Sequence, residues 1–485
     1  MVALVSFKPV LAMLASLLAV VPIYFSRKSP NVREFWTFLA GGIKLLIVLS
    51  MVPWILKGNA YELVFCQLFP GVSLKFHIDA FGLMFAIIAS FLWIVTSFYS
   101  IGYMRGTNEH GQTRYFCYFA IALSATLGVA FSGSLLTLYM FYELLSLSTY
   151  PLVAHHQNDE ARGGARKYLI YLFGTSIGLA LPAMLITYFF TGTLDFQQGG
   201  VMEGLSFVKV LPLLLMFMYG FGKAGMMPLH SWLPGAMVAP TPVSALLHAV
   251  AVVKVGVFSV ARVFTGIVGS GYMTEIGAVK IVCYIAGFTV IVASLIALYQ
   301  DNMKRRLAFS TIGQLSYIVM GIGLSSTLGV VGGMTHIAMH AFGKITLFFC
   351  AGAIYVATGQ KYISKMVGIG RRMPITITAF FIGALSVIGL PPTGGFISKW
   401  YLALGALDRD AIWVVVVLLI SSLLNVFYLL PVAVTAFFRT SETEKDPSFK
   451  EAPWPCVVPL VLTALGCFFL FFWSDVLLQM VGLEP

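Results

Sequence analysis

The sequence has 485 residues, of which 59% are hydrophobic and only 10% charged, and its mean hydropathy of +0.91 excludes a soluble globular domain and places the chain in a bilayer. Six scattered cysteines without a C-x-x-C pair argue against an iron–sulfur, zinc or disulfide framework. The formal net charge of +11 raises the question of an acidic partner, which the placement of the basic residues answers.

Apolar runs of about 20 residues, enough to cross roughly 30 Å of hydrocarbon as helix, recur from end to end. They predict an all-α polytopic membrane protein of about fourteen transmembrane helices, near residues 2–24, 35–57, 78–103, 115–131, 134–153, 168–191, 207–227, 243–266, 277–299, 309–325, 329–356, 375–401, 411–437 and 456–479. The first run has only Lys8 before its apolar core and no A-x-A-like site after it, so it reads as a retained span. Lys8 and Lys44 lie near span ends and read as snorkelling side chains. With each loop numbered by the span before it, the odd loops hold eighteen of the 30 Lys and Arg and the even loops six. The positive-inside rule then puts the odd loops in the cytoplasm and both termini outside. The basic excess is therefore topology, not nucleic-acid binding. No G-x-G-x-x-G after a strand and no phosphate loop occurs, so no cofactor is expected in this chain.

In the fifth span, LYMFYELLSL sets Glu143 in the middle of an apolar run, the one carboxylate well inside a predicted span. A charge at mid-bilayer costs about 2.5 to 3.5 kcal/mol on insertion scales, so such residues normally pair or face water, and they mark function. Local hydrogen bonding as helix glue is the plainer reading of Glu143. The available cations are Lys223, Lys254, Lys344 and Lys399. Lys223 precedes a break made by Pro228, Pro234, Pro240 and Pro242, and the next helix carries His248 and Lys254. In THIAMHAFGKITLFFCAG, His336, His340 and Lys344 recur at i, i+4 and i+8 on one helix face, spread over about 12 Å of rise. Such a row suits proton relay, because imidazole both accepts and donates near neutral pH. The alternatives are packing histidines, or a His pair binding metal for which no third ligand is evident nearby. Finally, Pro391, Pro392, Gly394 and Gly395 interrupt a span before Lys399.

The two broken spans each stand fourth in a five-span unit, residues 115–267 and 276–438, flanked by three spans in 1–103 and one in 455–480. An odd number of spans per unit makes the two units inverted repeats within a single membrane domain, a plan shared by many secondary transporters.

The segments DAFGLMF, YMFYELLSLSTY, FGKAGMMPLHSWLPGAMVAPTPVSALLHAVAVVKVGVF, RRLAFSTIGQLSY, THIAMHAFGKITLFFCAG and GLPPTGGFISKWYL resemble the antiporter-like subunits shared by respiratory complex I, Mrp-type cation/proton antiporters and membrane-bound hydrogenases, from about residue 75 to 435. The resemblance implies a proton (or sodium) translocating subunit of a multisubunit prokaryotic membrane complex, with no redox centre of its own. It implies that Glu143 and Lys223 form a charge pair, that His248 and Lys254 link the half-channels, and that His336, His340, Lys344 and Lys399 lead outward. It also implies partner membrane subunits, possibly with a peripheral redox arm. The end of the chain soon after the last span is similar to the shorter members, including the Mrp D subunit. A stand-alone secondary transporter and an inorganic-carbon-uptake component are the alternatives.

Overall fold

In hydrocarbon a backbone must satisfy its own polar groups, so the long apolar runs fold as helices. The computed structural model describes residues 3–439 and 450–482, and the chain is mostly helical. Among the described residues, ten helices are long and apolar enough to cross a membrane: α1 (Lys8–Phe25), α2 (Pro30–Ile55), α3 (Ala80–Gly106), α4 (Gln112–Ala130), α6 (Asp159–Thr191), α8 (Thr241–Val268), α9 (Ala278–Leu298), α11 (Thr327–Thr358), α14 (Ile412–Phe438) and α15 (Trp454–Phe472). The expected spans at 134–153 and 309–325 fold as the more polar helices α5 (Leu135–Val153) and α10 (Met303–Gly323). Those at 207–227 and 375–401 give the short α7 (Phe207–Gly220) and the pair α12 (Pro374–Ile388) and α13 (Gly394–Leu407).

Burial ranks these helices. The apolar stretch of α8 is wholly buried and that of α11 is 94% buried, against a third in α1, α2, α6 and α14. The central helices are thus the ones bearing His248, Lys254, His336, His340 and Lys344. A helix ringed by protein can carry polar groups that a lipid-facing helix cannot.

The chain departs from an all-helical reading between α2 and α3. There β2 (Ala60–Phe69) and β3 (Val72–Ile78) form an antiparallel hairpin, and β1 (Ala3–Val5) joins β2 in parallel. Gly71 turns the hairpin at φ +74°, and a Cβ there would stand 1.9 Å from the Gly192 carbonyl oxygen, so the position demands glycine on both counts. Lys75 and Ser73 of β3 bond the Asp195 carboxylate at 2.8 and 2.9 Å, pinning the hairpin to the segment after α6.

Three further expectations are corrected. Lys44 does not snorkel: it is fully buried, its Nζ lies 4.7 Å from the centroid of the Trp93 ring, and it has no hydrogen-bond partner among the described residues. The first break begins earlier than its prolines, because α7 ends at Gly220 and Lys223 sits in a tight turn over Gly222–Ala224, inside the break. Trp232 Nε1 donates to the Gly222 carbonyl at 3.1 Å and caps that opening. A third interruption occurs at Val250–Ala251, where α8 loses helical geometry without proline or glycine, between His248 and Lys254.

Candidate functional site

The break after α7 brings Lys223 against α5. Its Nζ donates to the Tyr142 carbonyl at 2.7 Å and the Ser146 hydroxyl at 2.6 Å and lies 3.1 Å from the Tyr142 ring centroid. Its backbone N–H donates to the Tyr142 hydroxyl at 3.1 Å. The opposite wall is α8, whose Gly256 approaches so closely that a Cβ would stand 2.2 Å from the Ala224 nitrogen. Lys223 is therefore held from both sides. The expected direct contact with Glu143 is not made. Both carboxylate oxygens of Glu143 are buried without a hydrogen bond, and among the described residues no cation lies within 4.0 Å of them. Lys223 is bound instead to the residue before Glu143 and to one three residues after it.

His248, on the first half of α8, is fully buried and packs on Phe348 of α11 at a ring separation of 4.8 Å, with neither ring nitrogen hydrogen-bonded. Beyond the interruption, Lys254 Nζ meets His340 Nδ1 at 2.6 Å. With Lys254 as an ammonium, which only donates, Nδ1 accepts and a neutral His340 carries its proton on Nε2. His336 stacks on His340 with ring centroids 5.8 Å apart. It contacts Gln314 Oε1 through Nε2 at 3.1 Å and Ser398 Oγ through Nδ1 at 2.8 Å. The row thus spans four elements: α8, α11 and, through Gln314 and Ser398, α10 and α13.

Lys344 branches away from the row. It donates to Ser310 Oγ at 2.6 Å and to the Leu307 carbonyl at 3.2 Å, and Ser310 in turn receives the Tyr428 hydroxyl at 2.8 Å. Lys399 Nζ binds the Val387 and Ile388 carbonyls at 3.1 and 2.8 Å and Ser422 Oγ at 3.0 Å. Those carbonyls end α12, where the chain break frees them and the helix dipole favours a cation.

The geometry gives one linked run, Lys254, His340, His336 and Ser398, and beside it the separate buried groups Glu143, Lys223, His248, Lys344 and Lys399, none of them hydrogen-bonded to that run or to one another among the described residues. What it can do chemically is pass protons between nitrogen bases, with the charge on each site set by its neighbours. Sequence reasoning missed Tyr142, Ser146, Gln314, Ser310, Tyr428 and Ser398. Gln314 alone had a local signal, a carboxamide in the apolar core of α10; the others are hydroxyls common in any membrane helix.

Residues 132–425 match the family described as "NADH:quinone oxidoreductase/Mrp antiporter, TM", and residues 70–116 match "NADH-Ubiquinone oxidoreductase (complex I), chain 5 N-terminus". The chain is 29% identical to the NADH-quinone oxidoreductase subunit N of Desulforudis audaxviator, over 97% of this chain and 98% of that one. It is 32% identical to a Na(+)/H(+) antiporter subunit of Alkalihalophilus pseudofirmus, over 83% of this chain but only 53% of that longer protein. One chain in the structure of the Mrp complex from Dietzia sp. superposes with a TM-score of 0.84 at 20% identity, covering 97% of this chain and 96% of that one.

Proposed function

This chain belongs to the NADH:quinone oxidoreductase/Mrp antiporter membrane family, and from that premise we propose that it carries protons across the membrane as an antiporter-like subunit of a larger complex. The observation that carries the reading is the contact of Lys254 with His340 at the kink of α8, continued by His336 toward α13. The row is built of nitrogens. Nitrogen bases transfer protons, whereas hard cations such as sodium prefer oxygen ligands, so protons fit these residues better. Glu143 and Lys223 form the input of one half-channel, His248 and Lys254 the link, and His336, His340, Lys344 and Lys399 the continuation. The relatives are components of multisubunit assemblies, which supports a setting among other membrane proteins. Proteoliposomes of the intact complex, loaded with a pH dye and energised by its own reaction or an imposed cation gradient, should change internal pH. A complex with His336→Ala should assemble and lose most of that change; equal pH responses in the two would overturn the reading.

The arrangement in the membrane follows the loop charges and the broken helices. The chain makes fourteen crossings in one membrane domain, with inverted five-span units over residues 115–267 and 276–438 and both termini outside. The interruptions after α7 and between α12 and α13 stand at matching places in the two units, which supports the repeat. In right-side-out vesicles a membrane-impermeant maleimide should label the exposed Cys66 on β2, and cysteines introduced at residues 361–372 should stay protected until the membrane is opened. Labelling of both in sealed vesicles would mean that the span count between them is wrong.

A further inference from the structure

Away from the buried row, two links on one side of the bundle meet. Glu109 and His110 lie between α3 and α4, and His155 and His156 follow the end of α5. One donor atom each from Glu109, His110 and His155 fall within 4.8 Å of one another. Glu109 Oε2 is 3.8 Å from His155 Nε2 and 3.4 Å from His156 Nδ1. Two ligands bonded to a common zinc ion at about 2.1 Å in tetrahedral geometry stand about 3.4 Å apart. Closure of at most about 1.4 Å, from 4.8 to about 3.4 Å, brings the Glu109, His110 and His155 atoms to that spacing, and His156, which is near Glu109 alone, has to turn in as the fourth ligand.

The second observation is His155 itself. Its side chain is fully buried, yet neither ring nitrogen has a hydrogen-bond partner. An imidazole so placed without a ligand costs about 1 to 3 kcal/mol, so an unpartnered buried polar group calls for an explanation. Arg114 donates to the His155 carbonyl at 2.9 Å and fixes the link. His110 is exposed and His156 half-buried, so an ion can enter from water.

We propose that Glu109, His110, His155 and His156 form a binding site for one divalent transition-metal ion of the zinc class. Three imidazoles and one carboxylate fill a tetrahedral shell with the ligand types that Zn²⁺ takes, and exclude Mg²⁺ and Ca²⁺, which want oxygens. A bound ion would tie the α3–α4 link to the α5–α6 link. Glu109 and His156 also line a cavity of about 500 Å³ with Lys304 and Lys361, so the ion would stand at the rim of a basic vestibule.

The test uses the intact complex, purified through a tag without histidine, stripped with EDTA and titrated with Co²⁺. Wild type should take up one Co²⁺ per chain with the visible d–d absorption of a four-coordinate site, and Zn²⁺ should displace it. His155→Ala and Glu109→Gln should each weaken binding by about tenfold or more. Because His155 is buried and its removal could impair folding, the pair His110→Ala with His156→Ala, at the water-facing side, provides the second reading and should also abolish the band. A titration without a visible band in wild type, or an unchanged band in the His110/His156 double variant, overturns the site.

Discussion

Replacing Glu143 with Gln should cut proton translocation by the complex severely, Lys223→Ala should do the same, and the double variant should be little worse than either single one. Glu143 has a buried carboxylate with no hydrogen bond, so nothing local stabilises its charge, and Lys223, bonded to the adjacent Tyr142 carbonyl, supplies a compensating field. Conversely, Lys223 is hydrogen-bonded to Tyr142 and Ser146, one residue before Glu143 and three after, so any turn or shift of α5 moves anion and cation relative to each other. On the proposed route, Lys223 would keep its proton with the pair close and pass it toward His248 with the pair apart. Gln keeps size and removes charge, whereas Glu143→Asp should retain part of the activity. The two singles should couple by about 0.5 to 3 kcal/mol, from about twofold to about a hundredfold in rate. Leaving one buried charge unpaired destabilises by about 3 to 5 kcal/mol, so assembled complex must be quantified in each variant. Simple multiplication of the two losses would show that the residues act independently.

The second large effect is expected at the kink of α8. Lys254→Ala and His340→Ala should each stop transfer between the two halves, and together they should cost no more than one alone, because each removes the same 2.6 Å contact. Lys344→Ala should behave differently. It shares a helix face with His340 but is bonded to Ser310 and the Leu307 carbonyl, so its loss should multiply with that of His340. The measurement is the initial rate of internal pH change per assembled complex in proteoliposomes. If His340 and Lys344 couple strongly while His340 and Lys254 do not, proton transfer follows the helix face and not the contact between helices.

That contrast marks what local sequence could reveal. Insertion into hydrocarbon depends on the apolarity of about 20 consecutive residues, so the positions of the long helices were legible from α1 to α15. Glu143 stood out because a carboxylate in an apolar run is costly, and His336, His340 and Lys344 because a helix repeats every 3.6 residues. The β2–β3 hairpin was hidden, since AYELVFCQLF is apolar enough to pass for a helix boundary and its pairing is with residues across Gly71. Lys44 was misjudged because snorkelling assumes lipid around the stem, whereas Trp93 of α3 closes over it. What meets what was decided by packing. Lys254 and His340 are 86 residues apart, and Lys223 reaches α5 only because the chain leaves its helix at Gly220. The same holds for Glu109 with His155. Hydropathy determines which segments enter the membrane, and it does so residue by residue. The polar side chains buried between those segments must find one another or remain unpaired, and only the tertiary arrangement of helices, breaks and links determines which partners lie within hydrogen-bonding reach.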